Sequence, residues 1–187
     1  MSSHHIVKED QEPALIIAQI DSVSSFLLDQ LLEWNPIVIT DTHNLAPVSQ
    51  LGIKVDVLFT NESVDLPQDH VLILPIVTSF LDTALTYLIG RKCRAANIIS
   101  TGTEPDLILR RAGEIHTVLL GNGKRIVAAK SGFSKWRPKG EAVFLYGDPV
   151  ADISGLQPTG EREYVTVADG FYSIYFEKPY GLVGERI

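Results

Sequence analysis

The chain holds a single cysteine, Cys93, among 187 residues. One thiol supports no disulfide framework and points to a reducing, cytoplasmic setting. Cys93 lies in RKCRAAN, at an expected helix end, a poor place for a nucleophile. Positive charge is scarce as well. The formal net charge is -7 and no stretch is strongly basic, which argues against nonspecific nucleic-acid binding through phosphate neutralisation. Long apolar runs are missing. VLILPIV is far too short to span a bilayer, so no membrane partner is expected. The opening MSSHHIVKEDQEP is polar, without the apolar core of a secretory signal, and reads as a disordered tail over 1–12. His4 and His5 in that tail read as no site. No P-loop, GxGxxG, HExxH or CxxC pattern occurs, and His43, His70 and His116 are too scattered for a metal site. Gly121-Asn122-Gly123-Lys124 joins two apolar runs and opens no helix, so it reads as a hairpin turn rather than a phosphate loop.

What is present is apolar sequence, 45% of the residues, enough for a sizeable core. The segment Pro36 to Ser63 organises it. Ile37 to Thr40 reads as a buried strand, Asp41 to Asn44 as a polar turn, and Leu45 to Leu51 as a short helix stopped by Gly52. Val55 to Phe59 is a second buried strand, released into the polar turn Thr60 to Ser63. Two apolar strands joined by a helix form a βαβ unit, which belongs in a parallel sheet covered on both faces. Ligands of such sheets bind at the carboxyl edge of the strands. The plainer account of Asp41 and Asn44 is that they start the helix as capping and Asx-turn residues.

The same grammar extends around this segment. Ala14 to Gln19 is a buried strand, Asp21 and Ser22 are candidate caps, and Val23, Phe26, Leu27, Leu31 and Leu32 recur at helical spacing. Val71 to Leu74 reads as another buried strand. Thr78-Ser79 caps a helix whose apolar face is Phe80, Leu81, Ala84, Leu85 and Leu88, with Asp82 complementing its first turn. Ala96 to Ser100 is the next strand, leaving through Thr101 to Asp106 into a short helix. From about Gly113 the pattern changes to antiparallel strands: HTVLL, RIVAA, AVFLY, EYVTVA and FYSIYFE. Asp169-Gly170, after the alternation of Val165 to Ala168, reads as a hairpin turn. The expectation is an α/β domain over 13–115 and a small β-sandwich-like domain over 116–187.

An acidic set follows consecutive strands: Asp41, Glu62, Asp82 and Asp106, with Thr60, Asn61, Ser63 and Thr103 beside them. Carboxylates converging on one sheet edge can hold Mg2+, a hard ion that prefers oxygen ligands and substrate phosphates. The alternative is that polar loops carry acids near strand ends as a matter of course.

The order of segments resembles the thiamine pyrophosphokinase family over nearly the whole length. ITDTHNLAPVSQLGIKVDVLF is similar to the family's strand ending in Asp-Gly, its helix and its Leu-Gly-Ile-x-Pro-Asp, matched here by Asp41, Leu51-Gly52-Ile53 and Asp56. Phe59 to Ser63 stands where the family has Gly-Asp-x-Asp-Ser; only Ser63 is kept, Glu62 is a conservative replacement of the second aspartate, and Thr60 replaces the first. TSFLDTAL resembles the family's Thr-Asp-x-x-Lys-Ala-Leu, with the acid at Asp82 and no lysine. GTEPDL resembles Gly-Gly-Arg-x-Asp-His, keeping Asp106 without the arginine and histidine. KGEAVFLYGDPVADISGL resembles the strand pair before the family's Gly-Leu, at Gly155-Leu156; the later thiamine-associated motifs are not recognisable.

The resemblance implies an α/β domain followed by a β-sandwich, and transfer of a pyrophosphoryl group from ATP to thiamine with Mg2+ in a homodimer. It implies catalytic roles for Asp41, Glu62 and Asp106, with Asp41 and Glu62 as metal contacts. Thr42, His43, Asn61, Ser63, Asp82 and Thr103 would surround the nucleotide, and Gly155 and Leu156 would lie at thiamine. Two further readings stand beside it. The scaffold can bind thiamine or a nucleotide without catalysis, or it can act through a partner, its aromatic FYSIYFEKPY pairing with a second copy.

Overall fold

The structure is a computed structural model that describes residues 12–66, 68–101, 104–146 and 150–187. The expected tail, with His4 and His5, lies outside the described residues apart from Glu12, as does Thr103. The chain divides into two compact units, Met1–Ser100 with Glu114–His116, and Thr101–Gly113 with Thr117–Ile187.

In the first unit β1 (Ala14–Ile17), β2 (Val38–Asp41), β3 (Val57–Phe59), β4 (Leu72–Leu74) and β5 (Ala95–Ile99) form a parallel array in the order β5-β1-β2-β3-β4. Three helices connect them: α1 (Ser25–Leu32), α2 (Thr42–Gln50) and α3 (Phe80–Gly90). The continuous apolar strands follow from burial on both faces. Leu15, Ile17, Val38 and Leu58 join Leu28 of α1 and Leu45 and Val48 of α2 in one core cluster. Phe59, one residue out of phase with Leu58, instead meets the rings of Phe80 and Tyr87 of α3 at 6.2 and 5.9 Å between centroids.

Three local expectations are corrected. β4 is not a buried strand, because it is the last strand of the array: Leu72 is 45% exposed and Ile73 48%. Phe26 is 71% exposed; α1 starts at Ser25, capped by Ser24 rather than by Asp21 or Ser22, and buries Leu28 instead. Asp21 and Ser22 form a separate 3-10 turn, Ile20–Ser22. α2 begins at Thr42, not Leu45, because Asp41 caps it.

The second unit opens with α4 (Pro105–Arg111). Two antiparallel sheets follow. One has the order β11-β12-β9-β14-β7-β6, made of β6 (His116–Gly121), β7 (Lys124–Lys130), β9 (Ala142–Tyr146), β11 (Leu156–Pro158), β12 (Glu163–Thr166) and β14 (Tyr180–Arg186). The other has the order β10-β13-β8, made of β8 (Phe133–Arg137), β10 (Val150–Ser154) and β13 (Gly170–Phe176). Ala129, Val143, Leu145 and Val183 from the first sheet pack on Tyr172, Ile174 and Phe176 from the second, as a sandwich requires. The β6–β7 hairpin turns on Asn122 and Gly123, with φ of 51° and 67°, the pair of positive values a type I′ turn needs.

Asp169-Gly170 is not a hairpin turn. β12 pairs with β9 and β11, whereas β13 pairs with β8 and β10, so the chain crosses between sheets there. Asp169 anchors the crossing by accepting a hydrogen bond from the Lys139 amide at 2.8 Å. Another crossing between the sheets is at Gly155, between β10 and β11. Its φ is +74°, and a Cβ there would lie 2.8 Å from the Phe171 carbonyl oxygen. Only glycine fits that bend without strain.

Candidate ligand-binding edge

Asp41 ends β2 beside Phe59, its partner on β3, so the exits of the two strands are neighbours. The Asp41 Oδ1 accepts hydrogen bonds from the Asn44 amide at 3.0 Å and from Asn44 Nδ2 at 2.8 Å. Asn44 is buried. Its Nδ2 also donates to the Ala18 carbonyl at 2.9 Å, and its Oδ1 accepts from the Ile20 amide at 3.4 Å. One Asp-Asn pair thus caps α2 and ties it to the exit of β1. Burial of the amide makes this tie valuable, since every polar atom left unmatched there would be costly. Thr40 stiffens the same edge through its buried hydroxyl, which donates to the Ile17 carbonyl at 2.9 Å. His43 is exposed, with Nδ1 3.7 Å from the free Oδ2 of Asp41, and Thr42 is the first residue of α2.

The second exit is equally bound to backbone. Thr60 is buried, and its Oγ1 accepts from the Glu62 amide at 3.0 Å. The Asn61 side chain clamps Ile76, donating to its carbonyl at 3.1 Å and accepting from its amide at 3.0 Å. Asn61 therefore fastens the exit of β3 to that of β4. Glu62 and Ser63 are exposed on the turn. Asp82 lies in the first turn of α3, where its Oδ2 accepts from the Thr78 hydroxyl at 2.9 Å.

Asp106 belongs to the second unit, at the start of α4. It lines a groove of about 610 Å³ with Leu109, Arg110, Lys178 and Tyr180. Gly155 makes the sheet crossing described above, and Leu156 packs against the sandwich core. Asp56 stands at the amino edge of the first unit, accepting from the Val38 amide at 2.9 Å and from Lys54 Nζ at 2.7 Å. A cleft of about 510 Å³ opens at that edge, lined by Trp34, Lys54, Asp56, Leu72, Tyr87 and Arg91.

A magnesium ion at the carboxyl edge would need several oxygen ligands converging there. Among the described residues no group of three or more His, Cys, Asp and Glu side chains could hold a metal ion. Asp41 has one oxygen occupied by two hydrogen bonds, and the neighbouring turn offers the neutral Thr60 and Asn61. The carboxylate oxygens left at this edge are Asp41 Oδ2 and those of the exposed Glu62, a sparse set for Mg2+, which prefers several oxygen ligands.

Among the described residues the strongest electrostatic cluster lies elsewhere, in the sandwich, around the buried Glu185 of β14. Burial pushes its carboxyl up, but hydrogen bonds from Arg137 and Lys135 outweigh this and hold it at about 2. Burial raises the Tyr172 hydroxyl, and the Glu185 charge beside it adds to the shift. The sequence reading missed this cluster because it assigned no strand to FSKWR or to YGLVGER. The alternation of Lys135 and Arg137 was the available signal.

No protein-family model matches the sequence, and no curated protein does. Solved structures do match. Thiamine pyrophosphokinase from Bacillus subtilis aligns with a TM-score of 0.66 at 12% identity, covering 93% of this chain and 98% of that one. Thiamin pyrophosphokinase from Geobacillus thermodenitrificans gives 0.66 at 9% identity, covering 93% and 97%. Thiamin pyrophosphokinase from Candida albicans gives 0.68 at 9% identity, covering 96% and 90%. The chain therefore has the fold of the thiamine pyrophosphokinases, α/β followed by antiparallel β. Among the described residues no helix is long and apolar enough to cross a membrane.

Proposed function

We propose that this chain uses the thiamine pyrophosphokinase fold as a ligand-binding module for thiamine or a nucleotide, without efficient pyrophosphoryl transfer. One observation carries this reading: Asp41, Asn44, Thr60 and Asn61 are hydrogen-bonded into the backbone around them. A polar edge held this way is preorganised, which favours binding. Pyrophosphoryl transfer asks for something else, cations or a metal aimed at charge that develops in the transition state. Neutral amides and hydroxyls supply little of that.

A second reading is supported by the adjacency of the β2 and β3 exits, which carry Asp41 and the turn with Glu62. It is an ATP- and Mg2+-dependent thiamine pyrophosphokinase, a transferase of thiamine diphosphate biosynthesis. Either reading expects a cytoplasmic homodimer; light scattering at micromolar concentration checks the dimer.

Thermal unfolding separates the two. The protein is melted with Mg2+ and ATP, with thiamine, and with both, and the mixture is assayed for thiamine diphosphate. Ligand at about 100 times its dissociation constant stabilises by roughly 2.7 kcal/mol. A shift with thiamine or nucleotide and no product supports the binding module. Product at a sustained rate establishes the enzyme, and no shift with any of them removes both readings.

A further inference from the structure

The sandwich of the second unit holds an arrangement that the carboxyl edge does not use. Glu185 is 7% exposed, and its carboxylate receives four hydrogen bonds. Oε1 accepts from Arg137 Nε and from the Tyr172 hydroxyl, each at 3.1 Å. Oε2 accepts from Lys135 Nζ and from the second guanidinium nitrogen of Arg137, each at 2.5 Å. One carboxylate is thus shared between two cations on the facing sheet. Two cations therefore face one carboxylate here.

A third cation joins them. Arg125 on β7 is the cross-strand partner of Glu185 on β14, as Val127 is of Val183. Partners two residues apart share a sheet face, so all four side chains belong to the face that carries Glu185. Among the described residues no carboxylate lies within ion-pair distance of the Arg125 guanidinium. Beside these groups is a cavity of about 200 Å³, lined by Arg125, Val127, Phe133, Lys135, Val183 and Glu185. It has an apolar wall of one ring and two valines, and a rim with more positive than negative charge. In a chain of net charge -7 this is an unusual local balance.

We propose that this cavity binds a small organic anion, its carboxylate or phosphate held between Arg125 and Lys135 and its apolar body against Phe133, Val127 and Val183. A guanidinium presents paired donors that match such groups. The size selects further. The volume falls below the roughly 300 Å³ at which pockets for drug-sized ligands begin, so a molecule of benzoate size fits and a nucleotide does not. The inference is independent of the proposed function, since thiamine carries the wrong charge and lacks the anionic group.

The test uses the full chain and two probes, benzoate and phenyl phosphate, titrated by calorimetry and by methyl and aromatic NMR shifts. Benzyl alcohol and benzylamine serve as the neutral and cationic controls. Expected are saturable binding of at least one anion, shifts at Phe133 and Val183, at least tenfold weaker binding of benzyl alcohol, and none of benzylamine. Preference between the two anions tells a carboxylate site from a phosphate site. Arg125→Gln, at an exposed position, is expected to weaken the anion at least tenfold with an unchanged melting temperature. Lys135→Met, which leaves the Arg137–Glu185 pair, is the second variant and is expected to weaken it likewise. No saturation by about 10 mM, equal binding of benzyl alcohol, or full affinity in Arg125→Gln would overturn the proposal.

Discussion

Replacing Glu185 with Gln keeps the shape of the sandwich and removes the charge on which Arg137, Lys135 and Tyr172 converge. The carboxyl is held at about 2 against an ordinary 4.5, a difference of 2.5 pH units. At roughly 1.4 kcal/mol per unit this corresponds to about 3 kcal/mol of linked stability. The neighbouring cavity and the partly exposed lysine admit water, so screening reduces the figure by about half, to roughly 2 kcal/mol. For a chain of this size that is a fall in melting temperature of about 4–8 °C. The pH dependence carries its own sign. A carboxyl depressed in the folded state stabilises fully above its unfolded value, and that stability is lost as pH falls toward about 2. The gap between wild type and Glu185→Gln is therefore constant from about pH 7 to 5.5 and narrows below about pH 4.5. Urea unfolding followed by circular dichroism at pH 7, 5.5 and 3.5 measures it. A gap under about 0.5 kcal/mol at pH 7, or one that does not narrow at pH 3.5, refutes the reasoning.

Three further substitutions probe the scaffold. Asn44→Ala removes the tie between Asp41, Ala18 and Ile20, and chemical denaturation is expected to show a loss of about 2 kcal/mol. Gly155→Ala brings a Cβ to 2.8 Å from the Phe171 carbonyl oxygen at φ +74°; a loss of at least about 2 kcal/mol is expected, and a neutral melting temperature would contradict the sheet crossing drawn there. Asn61→Ala frees the Ile76 amide, which is expected to exchange its hydrogen faster by at least about tenfold while amides of β1 are unaffected.

Much of the first unit was legible in residue order. Continuous apolar runs such as ALII and VLF can only be buried on both faces, and capping residues with Gly52 bound the helix between β2 and β3. The NG turn at 122–123 was equally plain, because few residues tolerate two successive positive φ values. The sandwich was less legible. FSKWR and VADIS alternate weakly, and the strands they form depend on partners distant in sequence. Asp169-Gly170 looked like a hairpin because the same dipeptide serves a crossing between sheets.

Sequence alone determined the fold class and the place of the polar strand exits, since periodicity and apolar runs express local burial. It did not determine which polar atoms stay available. Asp41 and Asn61 carry ligand-type chemistry, yet Asn44 takes up one carboxylate oxygen of Asp41 and Ile76 takes up the Asn61 amide. Glu185 and its cations lie 48 and 50 residues apart, too far for any local pattern. Only tertiary structure brings such groups to hydrogen-bonding distance, because the energy of a buried charge resides in its partners and not in its neighbours along the chain.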